Sequence, residues 1–432
     1  MFLNISAAVI TILVLAAILK QVEVRLALLT GGLLLTLVSW NLPAFSDAFA
    51  KSMVTAGLIQ VILPVMGFAA VMQFTGCDRH LVRLVTDPLL KVRAILVPGA
   101  VLATFVINIA IPSAAGCGAA VGVVLIPAMI AAGVHPATAG AAVLAGTWGS
   151  VFSPGLMHNP MIAKIASVPV MNVILSHKWG SAAALVVVAA LLFVEARLLR
   201  EDRDWAPDKG GSDPGKPRAA QPMLERVNVL RALIPVLPLA LLLLTWPDLG
   251  LTSRWLPKGL TVLEAMVIGV LVGMAVTRTA PGKISSSFFD GMGRAYGLVL
   301  GIIICAGVFI GGLEAAGVVQ GFIETLKASK SSVPLIATFG PMLLSILTGS
   351  ADAVTLAFNT AVTPHAAQFG MTPVGLGSLA MVSGSLGRSM SPVAAVAILV
   401  AGMAGVNSIE LTKRNALPML IATITVYLIL GH

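Results

Sequence analysis

Four short stretches rich in serine, glycine and proline interrupt long apolar segments of the chain. They are Pro112 to Gly118, Ser150 to Gly155, Thr348 to Asp352 and Gly384 to Pro392. Proline removes a backbone donor and glycine weakens a helix, so we expect each stretch to unwind. The helices that restart there expose free N–H groups and a positive partial charge. Because unwound backbone within a bilayer must be buried or line a cavity, the pattern predicts an anion-favouring pocket near the midplane.

Arg388, in the fourth stretch, is the most informative single residue. A guanidinium inside an apolar segment is costly and is usually functional. Its planar fork matches a carboxylate through two hydrogen bonds, which predicts contact with an anionic substrate. The alternative is a structural ion pair with Asp352 of the third stretch, and the two contacts could alternate during a transport cycle.

Two titratable residues beside the breaks are candidates for coupling transport to an ion. Asp352 can take up a proton, bind a cation or neutralise Arg388. His158 follows the second stretch, where it can shuttle protons or act as a hydrogen-bonded packing residue. The predicted substrate-binding residues are Ser113, Gly116, Ser153, Thr348, Gly349, Ser350, Arg388, Ser389 and Ser391.

The composition indicates an integral membrane protein. Of the 432 residues, 58% are hydrophobic and only 10% are charged, and the mean hydropathy is +0.99. A soluble domain of this length needs more polar surface, whereas apolar blocks of about 18 residues can cross a hydrocarbon core. The predicted membrane segments are 3–19, 26–44, 52–75, 94–111, 119–133, 138–168, 179–199, 227–247, 258–277, 289–316, 333–348, 353–369, 373–404 and 415–430.

Landmarks in the first half of the chain recur in the second. The spacing is 237 positions for Ser113 with Ser350, Pro127 with Pro364, Gly133 with Gly370 and Pro136 with Pro373. It is 238 for Ser153-Pro154 with Ser391-Pro392. Such agreement indicates an internal repeat, with halves at 1–199 and 227–432. The run 200–226, rich in proline and glycine, predicts a flexible linker between them.

Each half is predicted to hold about five transmembrane helices and one re-entrant helical hairpin. The hairpins are 94–133 and 333–369, and the broken helices are 138–168 and 373–404. An odd number of crossings inverts one half relative to the other, as in inverted-repeat transporters. The predicted fold is therefore an all-α polytopic membrane protein.

The distribution of charge sets an expected orientation. With the N-terminus outside, most of the 27 Lys and Arg residues lie on the inner side, as the positive-inside rule requires. We therefore expect a bacterial inner-membrane protein with a cytoplasmic linker and both termini outside. This distribution also explains the net charge of +9 without nucleic-acid binding.

Other classes of protein find less support in the residues. Cys77, Cys117 and Cys305 have no metal-ligand spacing, and no metal, cofactor or catalytic residue is predicted. No phosphate-binding loop of the ATPase type occurs. An intramembrane hydrolase that uses Ser113 or Ser153 with His158 lacks a nucleophile motif. A carrier of a small organic anion is favoured, and the alternatives are a cation/proton antiporter that uses Asp352 and Arg388 or a carrier of an amino acid.

Near the C-terminus the sequence resembles a known family. Gly387-Arg388-Ser389-Met390-Ser391-Pro392, followed by Ala401 to Ala404 and Lys413-Arg414, resembles the signature of the DcuC-type anaerobic four-carbon-dicarboxylate carriers of the ion transporter superfamily. Further similarity lies in Ala306 to Phe309, in Thr348 to Ser350, and in Ser113 with Gly116 and Gly118. The resemblance spans most of the chain and is strong only near the C-terminus.

The resemblance implies uptake, exchange or efflux of succinate, fumarate, malate or related diacids. It also implies a scaffold domain that forms a homodimer and a transport domain that moves like an elevator, carrying the hairpins and broken helices. Two positions depart from the family pattern: Asp352 stands where an asparagine is typical, and Pro154 to Asn159 replaces a Pro-Thr-Ser-Gly-Asp sequence. The paired Ser-Asn-Thr motifs of sodium-coupled relatives are absent, which favours proton coupling or exchange over sodium.

Overall fold

The computed structural model describes residues 2–20, 22–54, 56–90, 92, 95–202, 227–245, 259–321, 324 and 332–431. Over these residues the chain folds into helices without strands. The α-helices of the first half are Phe2–Leu19, Val24–Val38, Leu42–Met53, Ala56–Thr75, Cys77–Leu89, Leu96–Ala110, Ala114–Ala131, Pro136–Gly146, His158–Ala166, Val170–Ser176 and Lys178–Leu198. Those of the second half are Val229–Leu233, Leu237–Leu244, Val262–Thr277, Pro281–Ala295, Gly301–Ala315, Val333–Thr348, Ala351–Ala361, Pro373–Arg388, Ala395–Ala404 and Ser408–Leu430.

Shorter helical turns connect several of these elements. Three of them are 3-10 helices, at Gly149–Phe152, Ile234–Val236 and Thr363–Phe369. The segment Tyr296–Leu300 is a π-helix that joins two α-helices. Nearly all of the predicted linker, residues 203–226, lies outside the described residues.

Fewer helices than predicted are long enough to cross a bilayer alone. Among the described residues, Ala114–Ala131, Lys178–Leu198 and Ser408–Leu430 are sufficiently long and apolar. The number reaches six if each of three sharply bent helix pairs is one span. Several other apolar helices, such as Val24–Val38, Leu96–Ala110 and Val262–Thr277, are 10–17 residues long.

A helical hairpin in each half surrounds one of the predicted breaks. The first hairpin consists of Leu96–Ala110 and Ala114–Ala131, and the second of Val333–Thr348 and Ala351–Ala361. The first tip is shorter than the predicted Pro112 to Gly118, since only residues 111–113 are non-helical. The reason is that Ser113 caps the second helix and allows it to begin at once.

Two broken segments follow the hairpins. The first consists of Pro136–Gly146, Gly149–Phe152 and His158–Ala166, and the second of Pro373–Arg388 and Ala395–Ala404. Both begin with proline at the first helical position, which its fixed φ favours. All 11 residues of Pro136–Gly146 are buried. A helix that is apolar on every side belongs inside the protein, so the broken segments form its centre.

The predicted start of the second break was wrong. Gly384 and Gly387 lie within a helix that continues to Arg388. A Cβ at Gly387 would collide with the carbonyl oxygen of Met342 in the second hairpin. These glycines therefore permit close helix packing rather than unwinding.

The first half repeats this packing. A Cβ at Gly149 would collide with the carbonyl oxygen of Phe105 in the first hairpin. Gly149 and Gly387 are 238 positions apart, and Phe105 and Met342 are 237 apart. Corresponding glycines thus contact corresponding carbonyls, each within its own half.

A second group of helices lies beside the hairpins and broken segments. Pro281–Ala295 packs closely on Ala56–Thr75, since a Cβ at Gly291 would lie 2.5 Å from the Ala70 Cβ. Val24–Val38 and Gly301–Ala315 meet where a Cβ at Gly312 would lie 2.9 Å from the Gly32 carbonyl oxygen. Large apolar side chains such as Val186, Ile398 and Leu428 are exposed on the outside, as a lipid-facing surface requires.

Candidate functional site

The tip of the first hairpin ends in a capped helix N-terminus. The Ser113 hydroxyl oxygen accepts a hydrogen bond from the Gly116 N–H at 3.1 Å. Ala114 and Ala115, in the first helical turn, line a cavity. N–H groups in a first turn have no intrahelical acceptor, so this end of the helix offers free donors and a positive partial charge.

The tip of the second hairpin has the same local design. The Ser350 hydroxyl oxygen accepts a hydrogen bond from the Ala353 N–H at 3.2 Å. Gly349 precedes it with φ of +73°, and a Cβ there would lie 2.9 Å from the Ala394 nitrogen. Glycine is therefore needed for both the backbone conformation and the close approach. This contact brings the second tip to the start of the Ala395–Ala404 helix, whose first residues line the same cavity.

Arg388 ends the first helix of the second broken segment and lines the cavity. Its Nη2 donates to the Thr147 carbonyl oxygen at 2.7 Å, so it contacts the break in the opposite half. Its buried Nε has no hydrogen-bond partner among the described residues. The guanidinium is thus fixed on one side and retains donors for an anion on the other.

Asp352 pairs with His158 rather than with Arg388. The His158 Nε2 lies 3.2 Å from Asp352 Oδ1. The predicted alternative, an ion pair between Arg388 and Asp352, is absent from the ion pairs of the described residues. The side chain of His158 is 1% exposed and that of Asp352 is 47% exposed, so the carboxylate opens on the cavity and the imidazole lies behind it.

The cavity has a volume of about 510 Å³, within the range of about 300–1,000 Å³ that small-molecule sites occupy. One wall, the hairpin wall, belongs to the hairpin tips and broken segments and carries Ser113, Ser350, Asp352 and Arg388. The other, the helix-pair wall, belongs to Ala56–Thr75 and Pro281–Ala295 with the π-helix that follows. Three helix N-termini, at Ala114, Ala351 and Ala395, open on this space.

Several predicted site residues do not line the cavity. Ser153, Ser389 and Ser391 are buried, with at most 4% of each residue exposed. The hydroxyls of Thr348 and Ser389 donate within their own helices, to Leu344 and Ser385. Gly116 acts through its N–H on Ser113, and His158 acts through Asp352. The structure therefore brings together Ser113, Gly349, Ser350, Asp352 and Arg388 on one wall.

Sequence reasoning missed four polar residues of the cavity lining. Gln73 and Arg294 lie on the helix-pair wall, and Ser150 and Ser385 lie on the hairpin wall. Arg294 was not predicted as a site residue, because nothing in the local sequence connects it to the breaks. Ser150 and Ser385 lie inside or next to predicted breaks, and that position was the available signal. Among the described residues no group of three or more His, Cys, Asp or Glu side chains could hold a metal ion.

These features define a multi-pass membrane transporter, with a cavity at the meeting point of broken helices. In sequence, residues 4–431 match the family described as C4-dicarboxylate anaerobic carrier, DcuC. The chain belongs to this family. The prediction of a carrier rather than an enzyme is therefore confirmed.

Individual relatives agree with this assignment. The Escherichia coli K12 anaerobic C4-dicarboxylate transporter DcuC is 25% identical over 378 residues, which are 85% of this chain and 78% of that protein. A Haemophilus influenzae transporter of uncharacterized function is 39% identical over 277 residues, 63% of this chain and 98% of its own length.

Two solved structures have the same overall fold. Neisseria gonorrhoeae MtrF, described among antimetabolite efflux pumps, superimposes with a TM-score of 0.62 at 16% identity, covering 91% of this chain and 85% of MtrF. The Alcanivorax borkumensis YdaH transporter superimposes with a TM-score of 0.58 at 17% identity, covering 90% of this chain and 87% of YdaH.

Proposed function

We propose that this protein is a secondary active transporter of a small organic dianion such as succinate, fumarate or malate. The observation that carries the proposal is the convergence of Arg388, Ser113 and Ser350 on one cavity beside three helix N-termini. Each of these groups donates hydrogen bonds or presents positive charge, and a carboxylate accepts both. The C4-dicarboxylate relatives agree with this substrate class.

We propose that transport is coupled to protons or proceeds by obligate exchange. Proton coupling would explain why a site for an anion contains an acidic residue. The Asp352 carboxylate is half-exposed to the cavity and pairs with His158. A bound dianion disfavours a neighbouring ionised carboxylate, so substrate binding would promote protonation of Asp352. Release of substrate would then release the proton. We propose this route in preference to sodium coupling.

An elevator movement is supported by the position of the cavity between two structurally distinct walls. The hairpins and broken segments would move as the transport domain against a scaffold that includes Ala56–Thr75 and Pro281–Ala295. The walls touch where a Cβ at Gly155 would collide with the Val65 side chain. A larger residue at Gly155 should therefore obstruct sliding and slow transport more than substrate binding.

The matched geometry of the two halves supports an inverted repeat. Ser113 and Ser350 cap corresponding helices, and Pro136 and Pro373 begin corresponding helices. We propose halves at 1–199 and 227–432, joined by a cytoplasmic linker at 200–226, with both termini outside the bacterial inner membrane. We also propose that the scaffold forms a homodimer.

Counterflow in proteoliposomes tests the transport function directly. Purified protein would be reconstituted with unlabelled succinate inside, and uptake of labelled succinate would be followed. We expect transient accumulation against the gradient, with competition by fumarate and malate. The control variant Arg388→Gln should not accumulate labelled succinate. Pumping of monovalent cations without any diacid counterflow would instead support a cation/proton antiporter, and competition by amino acids alone would indicate a different substrate.

A further inference from the structure

We propose that Arg294 is a second substrate-binding cation, which binds the carboxylate of a dianion that Arg388 does not hold. This inference rests on the proposed transport of diacids and concerns how the site selects them. Arg294 belongs to the helix-pair wall and Arg388 to the hairpin wall. The proposed substrate would therefore bridge the two walls of the cavity when it binds, and it would leave Arg294 when the hairpin wall moves.

Close helix packing places Arg294 at the cavity. Gly291 lies one turn earlier, and a Cβ there would lie 2.5 Å from the Ala70 Cβ and 2.8 Å from the Met66 carbonyl oxygen. The helix Pro281–Ala295 consequently lies directly on Ala56–Thr75. Arg294 lines the cavity together with Gln73 of that neighbouring helix.

The guanidinium of Arg294 is available to a ligand. The residue is exposed, and it makes no ion pair or side-chain hydrogen bond within the part of the chain that the structure describes. The guanidinium presents a rigid fork of five donors that matches the geometry of a carboxylate. Here the one carboxylate of the cavity lining, that of Asp352, pairs with His158 of the hairpin wall.

The balance of charge in the cavity fits a dianion better than a monoanion. Its lining contains two guanidinium groups and one carboxylate. If Asp352 takes up a proton when substrate binds, the two remaining positive charges match two carboxylates. A monocarboxylate would leave one guanidinium without an anionic partner and would make one charge-assisted contact fewer than a dianion.

Selectivity between diacids and monoacids tests the role of Arg294. In reconstituted wild-type protein, the KM for succinate counterflow would be compared with inhibition by butyrate, which has the same carbon chain and one carboxylate. We expect Arg294→Gln to raise the KM for succinate by about tenfold or more, because a charge-assisted hydrogen bond is lost. Inhibition by butyrate, which needs only Arg388, should change little. Arg294→Lys should retain part of the preference for succinate over butyrate.

Chemical modification of a cysteine can show whether the positive charge at position 294, rather than correct folding of the variant, sets the preference for diacids. Arg294→Cys would be made in a carrier without its native cysteines and treated with cationic or anionic methanethiosulfonate reagents. The cationic reagent should restore diacid preference and the anionic one should not. The matched control is Lys283→Gln, because Lys283 is an exposed cation of the same helix that does not line the cavity; it should transport as wild type.

The outcomes are distinguishable. An Arg294→Gln protein that keeps the wild-type preference for succinate over butyrate, or equal effects of the two reagents on Arg294→Cys, would overturn the inference while leaving the transport function intact. Absence of succinate counterflow in the wild-type protein would overturn the proposed function, and the inference with it.

Discussion

The His158 Nε2 lies 3.2 Å from Oδ1 of Asp352, joining the first broken segment to the tip of the second hairpin. The two residues are 194 positions apart, and one belongs to each half of the chain. The buried imidazole supports a carboxylate that faces the cavity. This relationship gives the anion site a titratable group beside Arg388.

Replacing Asp352 by Asn should separate exchange from net transport. The variant keeps the shape of the side chain and removes its proton-binding group, so substrate exchange should remain largely intact. The pH dependence of net uptake should disappear. Both would be measured side by side at several external pH values, with Asp47→Asn as the control because Asp47 is exposed and does not line the cavity. If Asp352→Asn retains the wild-type pH profile, His158 becomes the next candidate.

Arg388→Lys should impair diacid transport more than it lowers the amount of protein. Lysine keeps the positive charge but lacks the planar fork, so it cannot hold Thr147 and a carboxylate in the same geometry. We expect the KM for succinate to rise roughly tenfold. The control Arg278→Lys changes an exposed arginine at a helix end. Normal transport by Arg388→Lys would show that this cation is structural.

Ser113→Ala and Ser350→Ala should each weaken substrate binding as well as a helix cap. Loss of an N-cap costs about 0.5–2 kcal/mol of stability, and loss of one hydrogen bond to substrate lowers affinity by several-fold. Thr372→Ala removes a similar cap outside the cavity, so it should lower stability alone. Buried Ser391, whose hydroxyl has no partner among the described residues, should tolerate alanine. Wild-type affinity in both tip variants would place the pocket elsewhere.

The orientation of the protein can be tested on the helix Lys178–Leu198. Its 21 residues span about 30 Å, the thickness of a hydrocarbon core, so its two ends lie on opposite sides. Single cysteines would be introduced at Lys178 and at Arg200, both exposed, in a cysteine-free background. His177 is unsuitable because it is fully buried. A membrane-impermeant thiol reagent on intact cells should label only position 178, and labelling at 200 alone would invert the proposed orientation.

Glu201→Gln should destabilise the protein at neutral pH and not in acid. Burial raises the pKa of Glu201, but hydrogen bonds from Arg414 and Thr138 and the charge of Arg414 lower it more, so that it lies below its ordinary value of 4.5. A lowered folded-state pKa contributes stability above the unfolded value, and this is lost as the pH falls through the folded value. Thermal unfolding in detergent should show that the difference in melting temperature between wild type and variant disappears between about pH 5 and pH 3. A difference that is constant with pH would contradict this role.

Local features of the fold were predictable because short-range chemistry produces them. Ser113 and Ser350 cap helices through the N–H three residues ahead, and Pro136 and Pro373 begin helices because their φ is fixed. The sequence prediction failed at Gly384 and Gly387, where the same residue type can break a helix or permit close packing. The Met342 carbonyl at Gly387 and the Thr355 hydroxyl at Gly384 require close packing, and both lie on other helices.

The sequence by itself determined that the chain is apolar and helical, that its helices break at serine-containing tips, and that Arg388 lies at one of these breaks. Hydropathy and helix capping act over a few neighbouring residues, so they can be read along the chain. Only the tertiary structure decided that Asp352 pairs with His158 and that Arg294 shares a cavity with Arg388. These contacts join residues far apart in sequence, because the packing of whole helices sets which side chains meet.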